Sequence, residues 1–223
     1  MNITGIARTP VYANDLMEIP DSPHDVTAFE AVASAAYTPR LQLMTSNSGP
    51  VKSGEFPANH YALVQDQKYV DLGKEVEMWV ITWRPKAIDM SDDDTITTSF
   101  DPKDPEFQRI QAKSEEKDSG CMFGPEYLVY VSSQRAFATF FMGSKSARRE
   151  SPALQSKIKD TATLKSHFIE TKKFSWYAPT VTACSNTLDQ PDPDALKPEL
   201  EKFLNPPKDD KERVEEAGEE RAR

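Results

Sequence analysis

The sequence has few of the residues from which most enzyme centres are built. It contains three histidines, His24, His60 and His167. They lie far apart and outside any HExxH or HxH spacing, so neither a zinc site nor a histidine-driven acid–base centre has a local signature. The two cysteines, Cys121 and Cys184, form no CxxC pair, which argues against a disulfide framework and for a reducing compartment. No GxSxG elbow occurs. Gly143-Ser144-Lys145-Ser146 lacks the glycine spacing that lets backbone amides cradle a phosphate. No apolar run approaches the ~20 residues a membrane helix needs, and the first ten residues lack the charged-then-apolar pattern of a signal peptide. The acidic pairs Asp92/Asp94 and Glu115/Glu116 fall in segments that read as solvated loops. These absences predict a cytoplasmic, non-catalytic protein with no cofactor, no metal and no membrane association.

Charge is present in quantity and unevenly spread. The 223 residues carry a formal net charge of −9. Residues 1–36 contribute −4, residues 37–187 are neutral and residues 188–223 contribute −5. The neutral stretch itself divides: residues 37–134 sum to −6 and residues 135–173 to +6. A concentrated basic stretch says more about partners than the global charge does.

Periodicity and turn residues divide the chain into an N-terminal arm with a short helix (1–36), a mainly β core (37–187) and a charged C-terminal tail, helical or disordered (188–223). Thr27 and Glu30 have capping-box spacing, and Val26, Phe29, Val32, Ala33 and Ala36 form one stripe, predicting a helix over 25–36. Residues 37–45 predict a first strand, followed by a Ser/Gly/Pro-rich loop over 46–57. Residues 75–83 read as the clearest strand, with Val76, Met78 and Val80 on one face and Trp79, Ile81 and Trp83 on the other. Residues 89–117 read as an acidic insertion or loop, with a short strand over 107–112. Residues 127–131 and 136–142 predict a hairpin about Ser132–Arg135. A helix over 144–158, interrupted or begun at Pro152, and strands over 163–170 and 174–183 joined at Lys172-Lys173 complete the core. In the tail, Asp194 is placed to cap a helix with the stripe Leu196, Leu200, Phe203 and Leu204.

The positive functional signal is basic residues interleaved with aromatics on these strands. Bases stack on aromatic faces while lysines and arginines follow the phosphates, which is what sequence-tolerant single-strand binding requires. Trp176, Tyr177 and Phe137 are the stacking candidates. Arg135, Lys145, Arg148, Arg149, Lys165, Lys172 and Lys173 are the phosphate candidates, with Arg84 and Lys86 secondary. The pattern does not separate DNA from RNA.

The element order, with a helix between the third and fourth core strands and a closing strand pair, is that of an OB-fold. The stretches LGKEVEMWVITWRPKAID, FATFFMGSKSARRE and TLKSHFIETKKFSWYAPTVTAC resemble the OB-fold single-stranded DNA-binding proteins of tailed bacteriophages, over residues 37–184 and in style and element order. The resemblance implies an α+β, mainly β fold: an elaborated OB-like β-barrel with one inserted helix and an acidic C-terminal tail. It also implies single-stranded DNA binding in phage-type replication or recombination, in the host cytoplasm, with replication or recombination proteins recruited through the tail. The tail departs from that pattern by ending Glu-Glu-Arg-Ala-Arg. The rival expectation is a structural or assembly protein, of virion or scaffold type, that forms a homo-oligomer through the arm and the Leu196–Leu204 helix.

Overall fold

A computed structural model describes residues 38–65, 68–92, 95–116, 118–171 and 175–206. The expected helix over 25–36, the Lys172-Lys173 turn and Phe174 lie outside these residues. The first of two compact units ends at Pro191. Its elements are β1 (Arg40–Met44), α1 (Gly49–Lys52), β2 (His60–Gln65), β3 (Lys68–Gly73), β4 (Glu75–Asp92), β5 (Thr95–Ser99), α2 (Pro105–Lys113), β6 (Cys121–Val131), β7 (Ala136–Phe141), α3 (Lys145–Gln155), β8 (Asp160–Glu170) and β9 (Ser175–Ala183). The second unit begins at Asp192 and holds α4 (Pro193–Leu204). Asp192 caps α4 by accepting the Asp194 N–H. The predicted cap was Asp194, which instead lies in the first turn after Pro193.

The nine strands form one mixed sheet in the order β3-β2-β1-β7-β6-β4-β8-β9, with β5 paired to β4. Among the pairings of the described strands β1–β7 is parallel and the others are antiparallel. Within this sheet β8-β4-β6-β7 has Greek-key order, in which the fourth strand returns to lie beside the first. The helix α3 makes the connection that permits it. Its N-cap Ser144 accepts the Ala147 N–H, and the helix continues through Pro152.

Period-2 alternation explains the core. Val76, Met78 and Val80 of β4, Tyr127, Val129 and Val131 of β6, and Ala138 and Phe140 of β7 pack with Leu41, Tyr61, Leu63 and Val70. Ala147 and Leu154 of α3 join them, and the Tyr127 hydroxyl meets Ser151 Oγ at 2.8 Å. The helix therefore lies on this inner face of the sheet. It also covers an edge: Glu150 Oε2 accepts the Val181 N–H of β9 at 3.2 Å, satisfying a donor that an edge strand would otherwise leave open.

Three expectations are corrected. Residues 107–112 form part of a helix, because Asp104 accepts the Glu106 N–H, Pro105 opens the first turn, and Phe107 and Ile110 fall on one side to meet Ala87, Cys121 and Phe123. The supposed acidic loop is in part strand: β4 runs on to Asp92 and folds back as β5. Trp79 and Trp83 do not share a face. A register shift between Trp79 and Thr82 sets Trp79 opposite Tyr130 and Trp83 opposite Tyr127; one extra residue reverses every side chain beyond it.

Asp89 links the corrected segment to the sheet. Its carboxylate accepts the Ser91 Oγ–H (2.6 Å), the Ser91 N–H (3.0 Å) and an Arg109 Nη2–H (2.7 Å). These bonds, those of Ser91 foremost, hold its acid form far below the usual carboxylate range. The Arg109 side chain lowers Glu106 as well. A depressed folded-state value gives stability that is full above the unfolded value near pH 4 and lost as pH falls through the folded one. Arg109→Ala is therefore expected to cost about 1–2 kcal/mol near neutral pH and to lose less than the parent on acidification below about pH 4. Urea melts from pH 7 to pH 3 check this; parallel curves would contradict it.

Both cysteines are free, Cys121 buried and Cys184 half-buried. Burial, with Asp89 beside it, pushes the Cys121 thiol up. A thiol reagent under native conditions is expected to label Cys184 promptly and Cys121 only at the rate of opening. Equal labelling rates would show that the cluster around Ala87 and Phe107 is not closed.

Candidate nucleic-acid interface

Residues opposite each other across a sheet share a face, so the registers define the face of β4, β6 and β7 turned away from α3, here called the outer face; at its centre Leu128 is fully buried. Trp79 of β4 stands opposite Tyr130 of β6, and Tyr130 opposite Phe137 of β7. The result is an aromatic row across three adjacent strands. The Tyr130 and Phe137 rings are 5.1 Å apart and tilted by 55°, a favoured arrangement for two rings. Tyr130 is 8% exposed, and Trp79 and Phe137 are half-buried. The Trp79 indole Nε1 is buried with no hydrogen-bond partner among the described residues.

Four residues along β6, roughly 13 Å away, a second row crosses the same strands: Arg84, Glu126 and Phe141. Glu126 Oε2 accepts from Arg84 Nε (2.8 Å) and Nη2 (2.6 Å), and Oε1 accepts from Lys86 Nζ (2.6 Å). The Arg84 guanidinium lies 3.7 Å from the Phe100 ring centroid and Lys86 Nζ 5.3 Å from that of Phe141, both in cation–π range. Between the rows stand Thr82, Leu128, Thr139 and Arg40. The outer face thus carries five aromatic rings, three cations and one buried acid.

The structure brings together three of the expected residues, Phe137, Arg84 and Lys86, on this face. Arg135 is exposed at the hairpin turn beside it, in a left-handed conformation (φ 49°). Lys165 is on β8 and pairs with Glu75 at 3.0 Å.

Trp176 and Tyr177 belong to a different place. Past the last β4 partner, Lys165, residues 166–170 of β8 pair with 175–179 of β9, so this hairpin continues beyond β4. Tyr177 stacks on Phe168 (5.1 Å), which is 48% exposed, while Trp176 stands opposite Ile169 on the other face.

The cations of α3 lie on the inner side of the sheet. Arg148 donates from Nη1 to the carbonyls of Phe123 (2.9 Å) and Gly143 (2.7 Å), and its guanidinium lies 4.2 Å from the Phe123 ring centroid. Glu115 pairs with Lys145 (2.7 Å) and Arg148 (3.6 Å), and Lys145 above all holds the Glu115 carboxyl below its usual range. Arg149 is exposed on the same helix. The expected site is therefore split: Lys145, Arg148 and Arg149 do not share a face with Phe137.

Trp79, Tyr130, Phe141, Phe100 and Glu126 were missed. A signal for three of them was present. In a hairpin turning about Ser132–Arg135, counting outward places Tyr130 against Phe137 and Glu126 against Phe141. Phe100 had none, because its approach depends on the β4–β5 reversal inside the supposed loop.

Among the described residues no group of three or more His, Cys, Asp or Glu side chains is placed to hold a metal ion, and no helix is long and apolar enough to cross a membrane. The chain matches no protein-family model, no curated protein and no solved structure.

Proposed function

We propose that the protein binds single-stranded nucleic acid, with DNA the expected form, and does so without catalysis on the outer face of β4, β6 and β7. The observation that carries this is the aromatic row Trp79–Tyr130–Phe137 running in register across three strands, with Arg84 and Lys86 on the same face. Stacking on such a platform contributes ~1–3 kcal/mol per base and tolerates any sequence.

An OB-like reading of the core supports it. The strands β4, β6, β7, β8 and β9 stand in the order β9-β8-β4-β6-β7 with α3 between the third and fourth. In OB-folds the second and third strands, here β6 and β7, present the ligand face, flanked by the loop between the first two strands and the loop between the last two. On this reading the β5–α2 excursion corresponds to the first of those loops. A role in replication or recombination of the phage type, with the C-terminal segment recruiting partners, belongs to the same proposal.

Titration with oligo(dT) tests it. Tryptophan fluorescence is expected to quench at low salt and to recover as salt rises, because phosphate contacts release counterions. No quenching at any salt sinks the proposal. The rival reading, a self-assembling structural protein, draws on Ile96 and Met90, which are 62% and 40% exposed on the β4–β5 hairpin. Large assemblies of protein alone in sedimentation, without nucleic-acid binding, would favour it.

Removing residues 188–223 takes away a net −5. Binding to oligo(dT) is expected to tighten several-fold at low salt, since repulsion of phosphate falls, with the melting of the sheet unchanged. Weaker binding or an early melt would show that the segment belongs to the binding unit.

A further inference from the structure

Glu126 is an anion in the middle of a face read as a phosphate-binding surface. It is 2% exposed and takes three charged hydrogen bonds, two from Arg84 and one from Lys86. The two cations are themselves mostly enclosed, with side chains 14% and 15% exposed, and are backed by the Phe100 and Phe141 rings. A carboxylate and a phosphodiester offer a guanidinium the same pair of anionic oxygens, and the Arg fork donates to either; here both Arg84 donors go to Oε2 while Lys86 donates to Oε1.

We infer that Arg84 and Lys86, walled by Phe100 and Phe141, form a phosphodiester site in which the Glu126 carboxylate stands in for the phosphate in the free protein. Two cations meet one carboxylate here, and a phosphodiester would offer them oxygens of the same charge and spacing. Glu126 thereby keeps both cations extended and desolvated next to the aromatic wall, at the cost of competing with the ligand. It is a positioning residue that sets affinity. The identity of the ligand rests on the single-strand reading; the existence of an oxyanion site does not.

The test compares the parent with Glu126→Gln, which keeps the shape and removes one negative charge. The variant is expected to bind oligo(dT) roughly tenfold more tightly at low salt, with a log–log salt slope steeper by about 0.7. Inorganic pyrophosphate is expected to raise the melting temperature of the variant and not of the parent. Oligo(dT) binding equal to or weaker than the parent's, with no pyrophosphate effect, overturns the inference. If neither protein binds oligo(dT) but the variant takes up pyrophosphate, the single-strand reading fails and the oxyanion site stands. Because two cations losing their partner could unfold the variant, Lys86→Gln in the parent gives an independent check. It removes one of the two cations, so binding is expected to weaken and the slope to become shallower by about 0.7. Unchanged binding by a folded Lys86→Gln protein also overturns the inference.

Discussion

Phe137→Ala is expected to weaken binding to oligo(dT) and oligo(dA) alike, by about ten- to a hundredfold, with no change in salt slope. Phe137 ends the aromatic row, packed on Tyr130 at 5.1 Å, and is half-buried. One lost stacking platform removes ~1–3 kcal/mol, and each 1.4 kcal/mol is tenfold in affinity. The slope holds because stacking displaces few counterions, whereas each lost phosphate contact lowers it by about 0.7. The fold is expected to lose only about 1 kcal/mol, since part of the ring's surface faces water in the parent. Isothermal titrations at four salt concentrations, each with a thermal melt, separate the outcomes. An unchanged affinity together with an earlier melt would mean that the row serves packing alone.

Arg148→Ala is expected to act in the opposite way, melting earlier with little effect on binding. The side chain donates two charged hydrogen bonds to the carbonyls of Phe123 and Gly143 and covers the Phe123 ring. Hydrogen bonds to charged groups contribute ~1.5–3 kcal/mol each. Removing both, with the carbonyls regaining water in part, should cost about 2–4 kcal/mol, a fall in Tm of about 5–15 °C for a chain of this size. Arg149→Ala, with an exposed side chain, should leave the melt within about 0.5 kcal/mol of the parent. A normal melt and a large binding defect for Arg148→Ala would put the interface on α3 and not on the outer face.

The contrast between these arginines shows where sequence reasoning reached and where it stopped. The β6–β7 hairpin, the helix that follows and the β8–β9 pair were legible, because alternation and turn residues are local signals. So was the first strand, within a few residues. Strands β2 and β3 went unread: His60–Gln65 has four successive buried residues, Tyr61 to Val64, so no alternation marks it as strand. The helix α2 was read as loop and strand because Asp-Pro at 104–105 looks like a turn, when it is also an N-cap followed by the proline that a first helical turn accepts.

At the site, composition found the right kinds of residue but not their grouping. Basic residues 135–173 are contiguous in sequence, yet the fold sends Arg148 to the inner side and Lys165 to β8. The cations that share a face with the aromatic row, Arg84 and Lys86, come from a segment of net negative charge. Their placement depends on a bulge at Trp79–Thr82 that nothing in the local sequence announces.

Photocrosslinking tests the location of binding most directly. A short oligonucleotide bearing 5-bromodeoxyuridine is irradiated with the full-length protein at low salt, and the adducts are mapped by mass spectrometry. Adducts on Trp79, Tyr130, Phe137 or Phe141 are predicted, suppressed by unlabelled oligo(dT) and by salt. Adducts confined to the peptide carrying Lys145, Arg148 and Arg149, or no competable adduct at all, would contradict the assignment of the outer face of β4, β6 and β7 as the nucleic-acid interface.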